Sequence, residues 1–199
     1  MPEPEPKHRR RLTAAQRRQV ILDAAVRCFA GKGVDGTSMD EIAAAAGVTK
    51  PVVYDHFASK DDLYLGLLAA MRDRLLEAGE ASFRQAAMPE IVTAAVSSLV
   101  DFVAENPAAA RLLFNPVTTP GAASDGARRI QAEATSGIGA LIDRLRPETA
   151  GWQNQLLAEF LKQGLHGTCL WWLDHPEVER EALTERLASL CTEVLLRPD

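Results

Sequence analysis

Between Ser38 and Lys60 the chain carries a set of side chains suited to the surface of a nucleic acid. Lys50 can pair with a guanine edge or a phosphate. Tyr54 and His56 can reach phosphate oxygens, and Pro51 and Val52 can pack on thymine methyl groups. Ser38, Thr49 and Lys60 complete the candidate DNA-contacting set. The spacing supports this use. Val53 and Phe57, four residues apart, define an inward face, which leaves Thr49, Lys50, Val52, Tyr54 and His56 on the other side of a helix from about Lys50 to Phe57.

The remaining reactive residues show no such agreement. His8, His56, His166 and His175 form neither an H-x-x-x-H nor an H-E-x-x-H metal site, and no Gly-rich phosphate loop or nucleophile elbow occurs. Cys28, Cys169 and Cys191 are odd in number, far apart and set among apolar residues, so they are expected to be small buried hydrophobes. The chain is therefore not expected to be an enzyme, and no metal or cofactor is implied.

The local elements that hold the polar face are readable. Ser38 and Glu41 make an S-x-x-E capping box that starts a helix at Met39 or Asp40. Met39, Ile42 and Ala46 share its apolar side, and the small residues from Ala43 to Ala46 allow close approach of a neighbouring helix. Gly47 can adopt the left-handed conformation that ends it. Thr49 stands at the N-cap position of the next helix, where Pro51 is tolerated in the first turn. A capped helix, a Gly turn and a second short helix make a helix-turn-helix, whose second helix enters a major groove. Asp40 and Asp55 put negative charge near that face. Upstream, Thr13 caps a first helix with Val20, Ile21, Ala24, Ala25, Cys28 and Phe29 inward, closed by Gly31 and Gly33.

The segment GVTKPVVYDHFASKDDL resembles the DNA-binding domain of the TetR family of one-component regulators. Tyr54-x-x-Phe57 followed by Ser59-Lys60-x-x-Leu63 matches the end of that family's recognition helix and its exit. ILDAAVRCFAGKGVDGTSM is similar to its first helix and following loop. The likeness covers roughly residues 13–67. It implies an all-α protein of about nine helices, with an N-terminal three-helix helix-turn-helix domain and a C-terminal helical ligand-binding and dimerisation domain. Residues 1–12 read as a flexible basic arm, either a solvated tail or an arm on phosphates or in a minor groove. Residues 13–59 read as the DNA-binding domain, and 60–199 as the effector-binding and dimerisation domain.

The body reads as helices at about 60–85, from Pro89 to Val103, 108–115, 127–145, 152–174 and 177–196, with NPVTTPGAASDG as a loop by composition. Leu63, Leu67, Ala70, Leu75 and Phe83 mark the buried side of the first of these. Leu183, Leu187, Leu190, Cys191 and Val194 form a seam on the last helix. Gly164, Gly167 and Thr168 lie beside Phe160, Trp171 and Trp172 on the one before. These patches fit either core packing or a homodimer through the last two helices, and the resemblance implies the dimer. It also implies a small-molecule effector. Candidate contacts are Phe102, Phe114, Phe160 and Trp171, with Gln131, Gln163 and His166 as orienting polar groups. Little charge is expected to be buried on the helices at 89–103 and 152–174, which points to an apolar or weakly polar effector.

Charge distribution agrees with DNA at one end. Residues 1–60 hold ten Lys/Arg and seven Asp/Glu, a net of +3, whereas residues 61–199 hold twelve and twenty, a net of −8. A basic head on an acidic body suits a protein that meets DNA with the head alone. No apolar run approaches the ~18 residues that would span a membrane, and the polar N-terminus is no secretory signal, so a cytoplasmic protein is expected. The expected function is a sequence-specific regulator, most simply a ligand-released homodimeric repressor on a near-palindromic double-stranded operator. An activator or ligand-blind regulator with the same head, or a helical ligand- or partner-binding module that no longer reads DNA, are the alternatives.

Overall fold

The computed structural model describes residues 12–83, 90–115, 122–149 and 151–196, with the backbone alone at 78–83 and at residue 122. These residues form α1 (Ala14–Lys32), α2 (Met39–Ala46), α3 (Lys50–His56), α4 (Lys60–Phe83), α5 (Glu90–Glu105), α6 (Pro107–Phe114), α7 (Ala122–Leu145), α8 (Gly151–Trp172) and α9 (Arg180–Leu196), and no strand. The basic arm, the opening role of Pro89 and the side chain of Phe83 lie outside the described residues.

Local chemistry sets the head. Thr13 accepts from the Gln16 amide while Gln16 Oε1 accepts from the Thr13 amide, a reciprocal capping box at the start of α1. Ser38 and Glu41 do the same for α2. Gly47 is left-handed at φ 67° and ends α2, its N–H reaching back to Ala43 and Ala44 carbonyls. Thr49 occupies the N-cap position of α3, but its side chain makes no capping hydrogen bond. Val53 and Phe57 are buried as their spacing required, with Phe57 capping the helix rather than continuing it.

One apolar cluster runs from the head into the body. Ile21, Leu22 and Phe29 of α1, Ile42 of α2, Val53 of α3, Tyr64 and Leu68 of α4, and Val103, Ala110, Leu113 and Phe114 of α5 and α6 are packed together. Tyr64 is fully buried and meets Phe29 edge-to-face, ring centroids 5.9 Å apart. The packing of α6 on α1 ties the head to the body alongside α4. A second cluster joins α5, α7, α8 and α9 through Val96, Val100, Ile142, Ala158, Leu187 and Cys191. Most of the α9 seam therefore packs on α5 within the subunit. Leu183, Leu187 and Cys191 are core, and Leu190 is the exposed member.

Two boundaries differ from the sequence expectation by three residues or more. α9 starts at Arg180, because residues 177–179 belong to a link whose Val178 carbonyl accepts from Trp172 Nε1 at 2.8 Å. α7 starts at Ala122, so the AASDG stretch is helical rather than loop. Gly126 is a site of close approach, not a turn: a Cβ there would stand 2.5 Å from Leu65 Cδ1 on α4. Gly126→Val is thus expected to overpack the α4–α7 contact and destabilise the fold by about 1–3 kcal/mol. Urea denaturation at fixed protein concentration measures it, and an unchanged midpoint would show that Leu65 yields freely.

Candidate functional site

The candidate DNA-reading face is assembled by α2 and α3. Burial of Val53 and Phe57 turns Tyr54 outward, 46% exposed, with Lys50 and Pro51 also exposed and Val52 and His56 half-buried. Ser38 and Thr49 lie exposed at the N-termini of α2 and α3. Lys50 Nζ pairs with Asp40 Oδ2 at 2.8 Å, which holds the lysine ammonium across the N-terminal ends of both helices. That contact raises the Lys50 pKa, first through the hydrogen bond and then through charge, so the lysine stays fully charged. Lys60 has a structural task as well: it donates to the carbonyls of Asp35 and Thr37 at 3.3 and 3.1 Å and secures the α1–α2 loop. Arg18 lies over the Phe57 ring at 4.9 Å.

The body holds a cavity of about 200 Å³ between α4, α5, α6, α7, α8 and α9. Among the described residues its walls are aliphatic, including Leu76, Val96, Leu99, Ile138, Leu141 and Leu161, with no aromatic side chain except the imidazole of His166. Arg72, Gln131, Lys162 and His166 supply its polar lining. Of the seven candidate effector contacts, only Gln131 and His166 line this space. Phe102 and Phe114 belong to the core cluster that reaches the head. Phe160, Gln163 and Trp171 are exposed on the other side of α8, with Gln163 bonded to Glu159 and Trp171 stacked on His175.

Arg72 and Lys162 were missed, and Lys162 corrects the expectation that α8 buries no charge. Its side chain sits among Asn154, Ala158 and Cys169 on the buried face of α8 and is 3% exposed. Its ammonium donates to Thr135 Oγ1 at 2.5 Å and the Gln131 carbonyl at 3.2 Å, and pairs with Glu159 Oε2 at 3.0 Å. Burial opposes the charge on Glu159, but hydrogen bonds from Thr135, Gln163 and Lys162, with the lysine's charge, outweigh it and leave the carboxyl at about 2. A lysine eight residues after Asn154 and four after Ala158 is the sequence signal that could have found it.

Two cavity side chains also grip α6. Gln131 Nε2 donates to the Leu113 carbonyl at 2.7 Å, and His166 stacks on Phe114 with centroids 3.9 Å apart. The cavity therefore touches the helix that packs on α1.

Both halves of the chain match models of one family: residues 21–67 match "Bacterial regulatory proteins, tetR family", and residues 87–195 match "Tetracyclin repressor-like, C-terminal domain". The chain belongs to the TetR family. By that membership it is a transcriptional regulator with a helix-turn-helix DNA-binding domain. Among curated relatives of this TetR-family chain is the HTH-type transcriptional activator FasR of Mycolicibacterium smegmatis, 38% identical over 105 residues, which are 52% of this chain and 48% of FasR. The chain thus matches about half the length of that relative. A TetR-like transcriptional regulator from Rhodococcus sp. RHA1 superposes with a TM-score of 0.74 at 26% identity, covering 94% of this chain and all of the other. The transcriptional regulator FadR from Bacillus subtilis, solved in complex with stearoyl-CoA, gives 0.76 at 18% identity over 87% and 97% of the two chains, a likeness of fold. No helix among the described residues is long and apolar enough to cross a membrane, and no group of His, Cys, Asp or Glu among them could hold a metal ion.

The cysteines of this TetR-family chain behave as core. Burial pushes the Cys169 and Cys191 thiols up to about 12 and 11, and Cys28 is half-buried. His166 is the group with a consequence near neutrality. Burial, then the Lys162 charge, lowers its pKa to about 4 against a small opposing pull from Glu159. Its folded pKa lies below the unfolded value of about 6.5, so the unfolded chain takes up the proton first as pH falls. Stability from neutral His166 is full above about pH 6.5 and is lost as pH drops toward 4. Thermal melts across that window are expected to fall more steeply for wild type than for His166→Phe. Parallel curves would remove His166 as the source.

Proposed function

We propose that this protein is a homodimeric, ligand-released regulator, most simply a repressor, that binds a near-palindromic DNA operator through α3. The observation that carries the DNA assignment is the buried pair Val53 and Phe57, which fixes Tyr54, Lys50 and Pro51 on an open face next to the N-terminus of α2. Ser38, Thr49, Val52 and His56 stand beside them in sequence on α2 and α3 and are assigned to the same face, and Lys60, held on the α1–α2 loop, is kept as a candidate at its edge. A single helix of seven residues reads too few bases, and a two-fold dimer places two such helices on related half-sites.

Support for the dimer lies on α8. Trp152, Leu156, Phe160 and Trp171 are all exposed, and their spacing of four, four and eleven residues keeps them on one side of the helix. Gly164 and Gly167 open onto empty space along the same stripe. Contiguous apolar surface of this kind marks an association site, and the occupant that fits a stripe of bulky and absent side chains on one helix is its two-fold copy. On α9 Leu190 is exposed while Leu183, Leu187 and Cys191 are core, which favours an interface centred on α8.

The aliphatic cavity supports an effector with an apolar chain, in the class of fatty acyl compounds; the Bacillus subtilis FadR structure holds such a molecule. Release then follows from linkage. Effector and DNA favour different separations of the two α3 helices, and each weakens the other by one coupling free energy, typically ~1–3 kcal/mol. α4 runs from Lys60 beside the head to the cavity wall at Leu76, and α6 joins the cavity to α1, so both can transmit the change.

The test is selection of genomic fragments with the purified protein, followed by anisotropy titration over a range of salt. A near-palindromic site with a steep salt slope, released by a fatty acyl ligand, is expected. Tight specific binding that no ligand alters would favour a ligand-blind regulator, and weak sequence-blind binding would overturn the DNA assignment. Reporter activity that falls on deleting the protein would mark an activator, as FasR is named.

A further inference from the structure

A buried lysine in an aliphatic cavity suggests a seat for a carboxylate, but the bonding around Lys162 argues otherwise. An ammonium has three N–H donors. Those of Lys162 have three acceptors in place: Thr135 Oγ1, the Gln131 carbonyl and Glu159 Oε2. Its charge is balanced by Glu159, which is itself held by Thr135 and Gln163. The second cation of the lining, Arg72, is bonded to Asp73 and Glu133. Among the described residues, an anionic head entering here would meet no cation without a carboxylate already in contact, and would have to shed its hydration without compensation.

What the lining leaves open is neutral. Among the described residues, the ring nitrogens of His166 have no hydrogen-bond partner, and Gln131 uses one N–H of its Nε2, leaving the second N–H and Oε1 open. His166 is uncharged at neutral pH, so it presents one N–H and one lone pair. Gln131 and His166 lie at the α6 side of the cavity, whereas Leu141, Leu145 and Leu195 line it towards the ends of α7 and α9.

We propose that this cavity selects amphiphiles with an aliphatic chain and an uncharged polar head, of the ester, amide or alcohol class, seated on His166 and Gln131, and that the Lys162–Glu159 pair excludes free carboxylates. This rests on the cavity being the effector site. The head group would then sit against the two side chains that hold Leu113 and Phe114 of α6, and the chain would run away from the DNA-reading head.

The experiment is calorimetric titration of the full-length protein at neutral pH with methyl decanoate, decanol and decanoate. The uncharged pair is expected to bind about tenfold or more tighter than decanoate, the difference being the cost of burying an uncompensated carboxylate. Glu159→Gln leaves the lysine charge uncompensated and is expected to close that gap by raising decanoate affinity. His166→Phe keeps the stack on Phe114 and should weaken the ester and alcohol alone. Decanoate binding to wild type as tightly as the ester, or decanoate binding that Lys162→Met abolishes, overturns the proposal while leaving the cavity as an effector site. Binding of none of the three overturns both. The wild-type comparison needs no variant to fold.

Discussion

Phe160→Glu is expected to convert the protein from a dimer to a monomer in solution and to weaken operator binding by roughly 10²–10⁴-fold. Phe160 is 65% exposed, in the middle of the α8 stripe between Leu156 and the open Gly164. A side chain that exposed contributes little to its own subunit, so a carboxylate there should leave helix content unchanged. In the proposed two-fold dimer a residue at the centre of the stripe lies near the axis and meets its own copy, so the substitution would place two like charges together in a desolvated patch. The loss in DNA affinity has a separate origin: with two linked recognition helices the second half-site binds at high effective concentration, and a monomer forfeits that gain. Light scattering gives the mass and anisotropy gives the affinity. A variant that stays dimeric, with circular dichroism intact, would move the interface off α8. Phe160→Leu serves as the control and should remain dimeric.

The same residue shows where the sequence was legible and where it was not. The head was readable because each signal there is local. A capping box needs only Ser38 and Glu41, a left-handed turn only Gly47, and the inward face of α3 only Val53 and Phe57. The body was read by residue type. As aromatics, Phe160 and Trp171 fit in sequence both the effector contacts and the interface patch beside Gly164 and Gly167, whereas the phase of α8 puts Asn154, Ala158 and Lys162 inward and Trp152, Leu156 and Phe160 outward. Lys162 was passed over for the converse reason, since lysine is seldom buried without partners and its partners, Thr135 and the Gln131 carbonyl, come from α7. Gly126 misled the α7 boundary because a glycine that admits Leu65 of α4 looks in sequence like one that makes a turn. For Gly126 and for the partners of Lys162 the deciding contact joins helices apart in the chain, whereas for Phe160 it is the phase of α8, which the spacing of Asn154, Ala158 and Lys162 carries.

Tyr54→Ala and Lys50→Ala are each expected to weaken operator binding by about 1–3 kcal/mol without altering the melting temperature. Both side chains are exposed, and neither packs in the clusters that hold the head together. The two losses should differ in kind. Lys50 carries charge, so if it neutralises a phosphate its loss lowers the salt slope by about one and weakens all sequences alike. If it reads a guanine, the slope holds and discrimination falls. Asp40 distinguishes a lysine that is free to act from one that is restrained. In the absence of DNA it pairs with Lys50 at 2.8 Å, an exposed contact that solvent screens and that adds little to stability. DNA must compete with Asp40 for the ammonium and must also tolerate its carboxylate beside the phosphates. Asp40→Asn removes both costs and is expected to raise affinity several-fold, more for non-specific than for operator DNA, so that selectivity narrows. Were Asp40→Asn to weaken the operator complex instead, the carboxylate would be aiming Lys50 at its base rather than holding it back.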